Sequence, residues 1–478
     1  MMKRFLAVIF SVIMLFSFCL SAVAEESKQP PEMPSGDMAP PEGGNGQPPE
    51  KPDGNAPGGG FGGGTPPGGG TSSFEYSAAA EITSDSSEKM LTDESFVSET
   101  ADESALIVNT DEDVEITNMM VVKTGDSDGG DNCNFYGLNA GVLVMGGSTT
   151  TITDSSITTY ASGANGVFSY GGNGGKNGAE GDGTTVIISD TEITTTGDGS
   201  GGIMTTGGGI TYASNLTVQT SGRSSAALRT DRGGGTVVVD GGTYTTSGLG
   251  SPAIYSTADI TVKNAELVSN LSEGVCIEGM NSITLENCSL TASNTKCNGN
   301  ATFLDTIMIY QSMSGDADSG TSSFTMTGGS LTSLSGHMFH VTNTHAVITL
   351  SGVQLVNEGS DVLLSVCDDG WSGASNIAEL AADAQELSGT VLVGSNSTLI
   401  LTLANGSSFT GCISGEIENA KGETISTEVG TVNVKLDETS TWTLTSDTYV
   451  TSFEGNAASV IGNGFTLYVN GAALEGIS

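Results

Sequence analysis

Apolar and polar residues alternate with a period of two in short runs along most of this chain. Thr236-Val237-Val238-Val239-Asp240 is one such run, Gly242-Thr243-Tyr244-Thr245-Thr246 a second and Ala253-Ile254-Tyr255-Ser256 a third. Gly, Asn and Asp bound the runs, and that combination predicts short strands separated by turns. No helical spacing is sustained. The stretch NIAELAADAQEL from Asn376 holds at most a turn or two of helix.

The runs recur in groups of three. Units start at Thr149, Thr184, Ile210, Thr236, Asp259 and Asn281, 22 to 26 residues apart wherever no loop intervenes. A unit this short cannot bury an apolar face alone, so its strands must stack on those of neighbouring units. The predicted fold is all-β: a right-handed parallel β-helix, a β-solenoid with about three strands per coil. Ala105 to Asn470 at about 24 residues per coil gives roughly 15 coils and, at ~4.8 Å each, a length of about 70 Å. Glycines between Tyr170 and Gly183, and the spans 296–320 and 367–387, read as insertions, which on a solenoid tend to build the binding face.

The Thr/Gly/Asn-rich coils resemble the pectate-lyase-like β-helix superfamily. The run LDETSTWTLTSDTYVTSFEGN from Leu436 is similar to the coils of autotransporter passengers and related adhesin-like proteins. The resemblance covers most of the chain after Ala105 and implies the fold. For function it implies only a choice, because the superfamily holds lyases, hydrolases, epimerases, tailspikes and adhesins. An autotransporter barrel and an LPxTG signal are both missing from the pattern, so an adhesin-like protein without a recognised anchor is expected.

Composition sets the compartment. MMKRFLAVIFSVIMLFSFCLSAVA has a basic start, an apolar run and an Ala-x-Ala end, the form of a secretory signal peptide removed after about Ala24. The expected organisation is signal peptide 1–24, disordered Pro/Gly-rich linker 25–73, and one β-helix domain 74–478 with an N-terminal cap region 74–104 and passenger-like coils 388–478. No later stretch reaches 18 consecutive apolar residues, so no transmembrane segment is expected in the mature chain. The protein is read as secreted or extracellular, associated with a cell surface, and monomeric.

Formal net charge is −41, which repels nucleic-acid phosphates and excludes nucleic acid as a partner. Six cysteines follow the leader without CxxC pairing. They read as small buried thiols, with a bridge among Cys276, Cys288 and Cys297 as the rival reading.

Every arginine outside the leader lies in SGRSSAALRTDR: Arg223, Arg229 and Arg232. Aligning third strands puts Phe168, Met204, Leu228, Ile254 and Cys276 in one inward column. Arg229 is then outward beside Tyr255, one coil away. Guanidinium groups suit carboxylate or sulfate and an aromatic face suits sugar C–H groups, so Arg223, Arg229, Arg232, Asp231 and Tyr255 form a candidate acidic-glycan site. The bland alternative is an ordinary surface ion pair, worth under ~1 kcal/mol.

The loop GDSDGGDNCN offers Asp126, Asp128 and Asp131 as hard oxygen ligands for Ca²⁺, against the plainer reading of a solvated acidic turn. His337, His340 and His345 are not a zinc set, since residues three apart on a strand face opposite sides. NTD at Asn109 to Asp111 and DD at Asp368 and Asp369 lie far apart, and GHG and RIK do not occur, so the polygalacturonase constellation is incomplete. Ranks of threonine such as Thr194 to Thr196 fit polar strand ladders better than an ice-binding face. No catalytic residue is assigned. The expected function is an adhesin-like protein that binds carbohydrate, a polysaccharide or cell-surface glycan, without catalysis. A calcium-dependent polysaccharide lyase, with Asp231 and Glu278 as carboxylates, and a passive envelope rod are the alternatives.

Overall fold

The computed structural model describes residues 75–478 apart from 128, 174–179 and 372–375. The leader and linker expectations lie outside the described residues. Within the described part the strands form two large parallel sheets, one of 15 strands and one of 22. The chain is a right-handed parallel β-helix. Coil after coil, a pair of strands such as Asp259–Lys263 and Glu266–Ser269 joins the larger sheet, and the next, Val275–Glu278, joins the smaller.

Register is set by which side chains must leave water. In the 15-stranded sheet Val142, Val167, Ile203, Leu228, Ile254, Val275, Ile307, Phe339, Leu364 and Val391 pair in one column. All belong to the main core. Ile152, Ile188, Ala213, Val239, Val262 and Leu285 face them from the larger sheet. A one-residue slip would turn each such row to the wrong face, so the hydrophobic pattern holds the stack in register.

Corners between the two strands of a pair are tight. Asn118, Asp154, Asp190, Asn215, Asn264, Asn287 and Asn405 occupy them with φ between 49° and 57°. Asn and Asp tolerate this left-handed region because a short side chain can bond locally. Here Asn118, Asn215, Asn264 and Asn405 each donate to an aspartate one coil before. Ala384 sits at the same corner with φ 49° and has neither the tolerance nor the donor. Ala384→Asn is expected to stabilise the protein by about 0.5–1 kcal/mol, read as a higher midpoint in urea at unchanged slope.

A second ladder closes the coils. The Thr159, Thr195, Thr220 and Thr246 hydroxyls donate to the carbonyls of Ala164, Ser200, Ser225 and Ser251, five residues on. Ser200, Ser225 and Ser251 hydroxyls in turn accept from a buried N–H of the preceding coil at 2.9 Å. These groups would otherwise be buried and unpaired, a cost of about 1–3 kcal/mol each.

Several expectations need correction. Asn376–Asp383 is a strand of the larger sheet, because Ala378, Leu380 and Ala382 point into the core and Glu379 and Ala381 do not. Asp305–Tyr310, inside a span read as an insertion, is a strand of the smaller sheet. Phe168, Met204 and Cys276 lie on the outer side of that sheet, in register with Arg229 and Tyr255. The alignment slipped by one residue there because these strands are buried on both sides, so polarity does not alternate.

Candidate functional site

From Ser104–Asn109 to Val362–Val366 the outer face of the 15-stranded sheet is largely covered rather than open. Ile107, Leu143, Phe168 and Met204 form one apolar cluster on it, and Ala226, Tyr255, Cys276, Met308, Tyr310 and Trp371 another. Between and beside these clusters lie buried polar groups, and the arginines are among them.

Arg229 follows the inward Leu228 and therefore points outward, but segments from elsewhere close over it. Its Nη2 lies 2.6 Å from Asp231 Oδ2, with side-chain exposures of 13% and 3%. Nη1 donates to the Ser224 carbonyl at 3.2 Å, and the guanidinium carbon stands 5.3 Å from the Tyr255 ring centroid. The stacking on Tyr255 agrees with the one-coil offset read from sequence. Arg232 reaches Asp316, 84 residues along the chain, with Nη2 and Nε at 2.6 and 3.2 Å, and lies 4.2 Å from the Phe135 centroid. Arg223 is exposed and takes no part in this array. Two of the three guanidinium groups are thus committed to carboxylates of the same chain.

The Glu278 carboxylate collects hydroxyls next to that array. Tyr255 and Tyr310 donate to Oε2 at 2.5 and 3.2 Å, and Ser312 and Ser314 donate to Oε1. Burial raises the Glu278 carboxyl, and the donors work against it. Burial likewise lifts Asp231 to about 6, with Arg229 pulling it down. In both, desolvation of the charged form outweighs the contacts that favour it.

A second polar cluster sits further along the same face. Met338 and Phe339 both enter the core, as do Leu363 and Leu364, and the register shifts between Val362 and Leu364. Two consecutive inward residues break the alternation, so the residues that flank Met338 and Phe339 come to the same side. His337 and His340, expected on opposite faces, therefore lie together, each with Nδ1 2.8 Å from Ser365 Oγ. The single hydroxyl proton can serve only one of these contacts, so at least one imidazole donates to Ser365 Oγ. Phe303 stacks on His340 with centroids 4.6 Å apart. His340 Nε2 stands 3.4 Å from Asp369 Oδ2, too poorly aligned for a hydrogen bond. Burial acts to raise the Asp369 carboxyl, but His340, the Thr302 hydroxyl and the Gly370 N–H hold it below its usual range. Burial and His340 press the His337 imidazole down to about 4. Ser365 and His340 are wholly buried, so this serine, imidazole and carboxylate tie the segment after Val366 to Thr302.

Two of the three candidate calcium-loop carboxylates, Asp126 and Asp131, lie within the described residues. Asp126 accepts from the Ser162 N–H at 2.8 Å, Asp131 opens the short helix Asp131–Tyr136, and Asp128 lies outside the described residues. All six described cysteines are free thiols. Only Cys288 belongs to the coil interior, while Cys276 and Cys367 pack on the covered outer face.

The larger sheet contrasts with this. Its outward column runs Thr151, Ile187, Tyr212, Val238, Thr261, Thr284, Thr325 and Thr349. Ile187 and Tyr212 are 39% and 46% exposed. Thr185, Ile210 and Thr236 flank them on one side, and Ser189, Ser214 and Asp240 on the other. The result is an apolar strip three coils tall in a field of hydroxyls. Alternation in Thr185–Ser189 and in ITYAS from Ile210 carried that signal, which was not singled out from the sequence.

No protein-family model, curated protein or solved structure matches this chain. Its class rests on the fold: a parallel β-helix with one sheet covered on its outer face and the other bare. Among the described residues no helix is long and apolar enough to cross a membrane.

Proposed function

We propose that this chain is an exported, adhesin-like protein that binds polysaccharide on the bare face of its larger sheet, without catalysis. The observation that carries this reading is the strip of exposed Ile187 and Tyr212 and half-buried Val238, flanked by the hydroxyls of Thr185, Thr236, Ser189 and Ser214. Sugar rings pair an apolar C–H face with a hydroxyl rim, and an aromatic side chain among hydroxyl donors and acceptors matches both. The signal-peptide pattern and the resemblance to adhesin-like coils support the same class.

The arrangement favours a neutral glycan. Arg229 and Arg232 are committed to Asp231 and Asp316, and the formal charge of −41 disfavours an acidic polymer at long range. The lyase alternative loses support for the same reason: its base would be an arginine, and its carboxylates, Asp231 and Glu278, are buried. Tyr212→Ala is expected to weaken retention on a neutral polysaccharide in affinity electrophoresis about tenfold, the equivalent of ~1.4 kcal/mol. Its melting temperature should not change, because the side chain is exposed. Unchanged retention, or a glycan array without signal for the parent protein, would overturn the reading.

A further inference from the structure

Glu273 and Asp305 stand two residues before Val275 and Ile307, which pair across adjacent coils, and the ladder continues between them through Gly274 N–H to the Thr306 carbonyl at 2.8 Å. Their backbones are thus one strand spacing apart, about 4.8 Å. Residual exposures are 6% and 1%. Among the described residues neither carboxylate forms an ion pair.

Two stacked carboxylates shielded from water cannot both stay ionised without compensation. The surroundings supply oxygen instead of cationic side chains. The Ser272 hydroxyl donates to Glu273 Oε2, the Asn294 amide, 1% exposed, lies within reach of the same carboxylate, and Asn294 Oδ1 has no partner. Asp305 Oδ1 is likewise unpartnered. A cavity of about 20 Å³ adjoins Glu273, enough for one water. Asn298 lines it too, and its buried Oδ1 has no partner. Asn294 and Asn298 both lie beside Glu273, and Asp305, one coil away, carries an unpartnered oxygen of its own.

We propose that Glu273, Asp305 and Asn294 form a binding site for one calcium ion, completed from the cavity side by Asn298 or a water. Two carboxylates balance one divalent charge, and the donors are hard oxygens, as calcium prefers. Magnesium is the poorer fit, since it keeps several waters in an octahedron and the cavity holds about one. The ion joins the strand pair Glu273 and Asp305 to the segment after Ala292, so its effect is to hold that covering segment against the sheet.

The test uses the full mature chain treated with EGTA. Adding 1 mM CaCl₂, on the order of a weak extracellular site's dissociation constant or above it, is expected to raise the melting temperature by about 2–5 °C, with magnesium ineffective. Glu273→Gln and Asp305→Asn, which remove charge but keep shape, should abolish that rise and melt no lower than the calcium-free parent. Trp371 lines the same cavity, so terbium should luminesce on excitation of tryptophan in the parent, more weakly in Trp371→Phe and not in Glu273→Gln. A calcium rise that survives both substitutions places the ion elsewhere and overturns the proposal. So does a parent indifferent to calcium and dark with terbium, which leaves a shared proton as the neutralising charge.

Discussion

Arg229→Met is expected to lower stability by about 3–5 kcal/mol, because it leaves the Asp231 carboxylate buried with no counter-charge. The guanidinium is 2.6 Å from that carboxylate, and the Asp231 side chain is 3% exposed, so water does not replace the lost partner. An exposed pair would cost under ~1 kcal/mol, and denaturant titration separates the two outcomes. Arg229→Met combined with Asp231→Leu should recover much of the loss, since a buried pair is often replaceable by packed apolar groups. If the double variant were as unstable as the single, the destabilisation would come from lost packing on Tyr255.

Glu278→Leu is expected to cost about 3 kcal/mol, because the buried hydroxyls of Tyr255, Tyr310 and Ser312 lose their acceptor together. Glu278→Gln keeps an acceptor and should cost much less, while changing the pH dependence. Glu278 and Asp231 both have folded pKa values above their unfolded ones. Their contribution is complete below the unfolded value and is lost as pH rises, for Asp231 between 3.8 and about 6. His337 acts in the opposite sense. Its folded value of about 4 lies below 6.5, so the unfolded chain binds more protons between those values and stability climbs with pH there. The two slopes oppose each other in one window. His337→Gln should therefore show a steeper loss of stability from pH 4 to 6.5 than the parent, and His337→Gln with Glu278→Gln a shallower one. Parallel profiles in all three proteins would show that these groups do not set the dependence.

The repeat and its parallel stacking were legible because half-buried strands alternate, as Ile260 and Val262 do with Thr261 and Lys263. Legibility failed where both sides of a strand are covered. In Val167–Tyr170 the outward Phe168 is apolar and the inward Ser169 polar, and in Val275–Glu278 both Cys276 and Ile277 are apolar, so polarity did not separate the two sides and the alignment slipped by one residue. Arg229 was placed beside Tyr255 correctly because Leu228 and Ile254 were aligned correctly. That Arg229 would be covered was not readable, since what closes this face comes from distant segments. Asp316 reaches Arg232 across 84 residues with no spacing to announce it. The meeting of His337 and His340 left a trace, the adjacent apolar pairs Met338-Phe339 and Leu363-Leu364, which break a strict alternation.

The contrast between the two sheets bears on how such a chain changes over generations. A residue in the covered sheet is gripped from both sides, so substitutions there are filtered by folding before recognition is tested. Thr151, Ile187, Tyr212 and Val238 face outward from strands whose inward neighbours alone hold the coil together. Their identities can drift, and a coil can be duplicated with its outer letters rewritten, while the hydrogen-bonded frame stays the same. Selection acting on such a protein has a surface it can edit one column at a time.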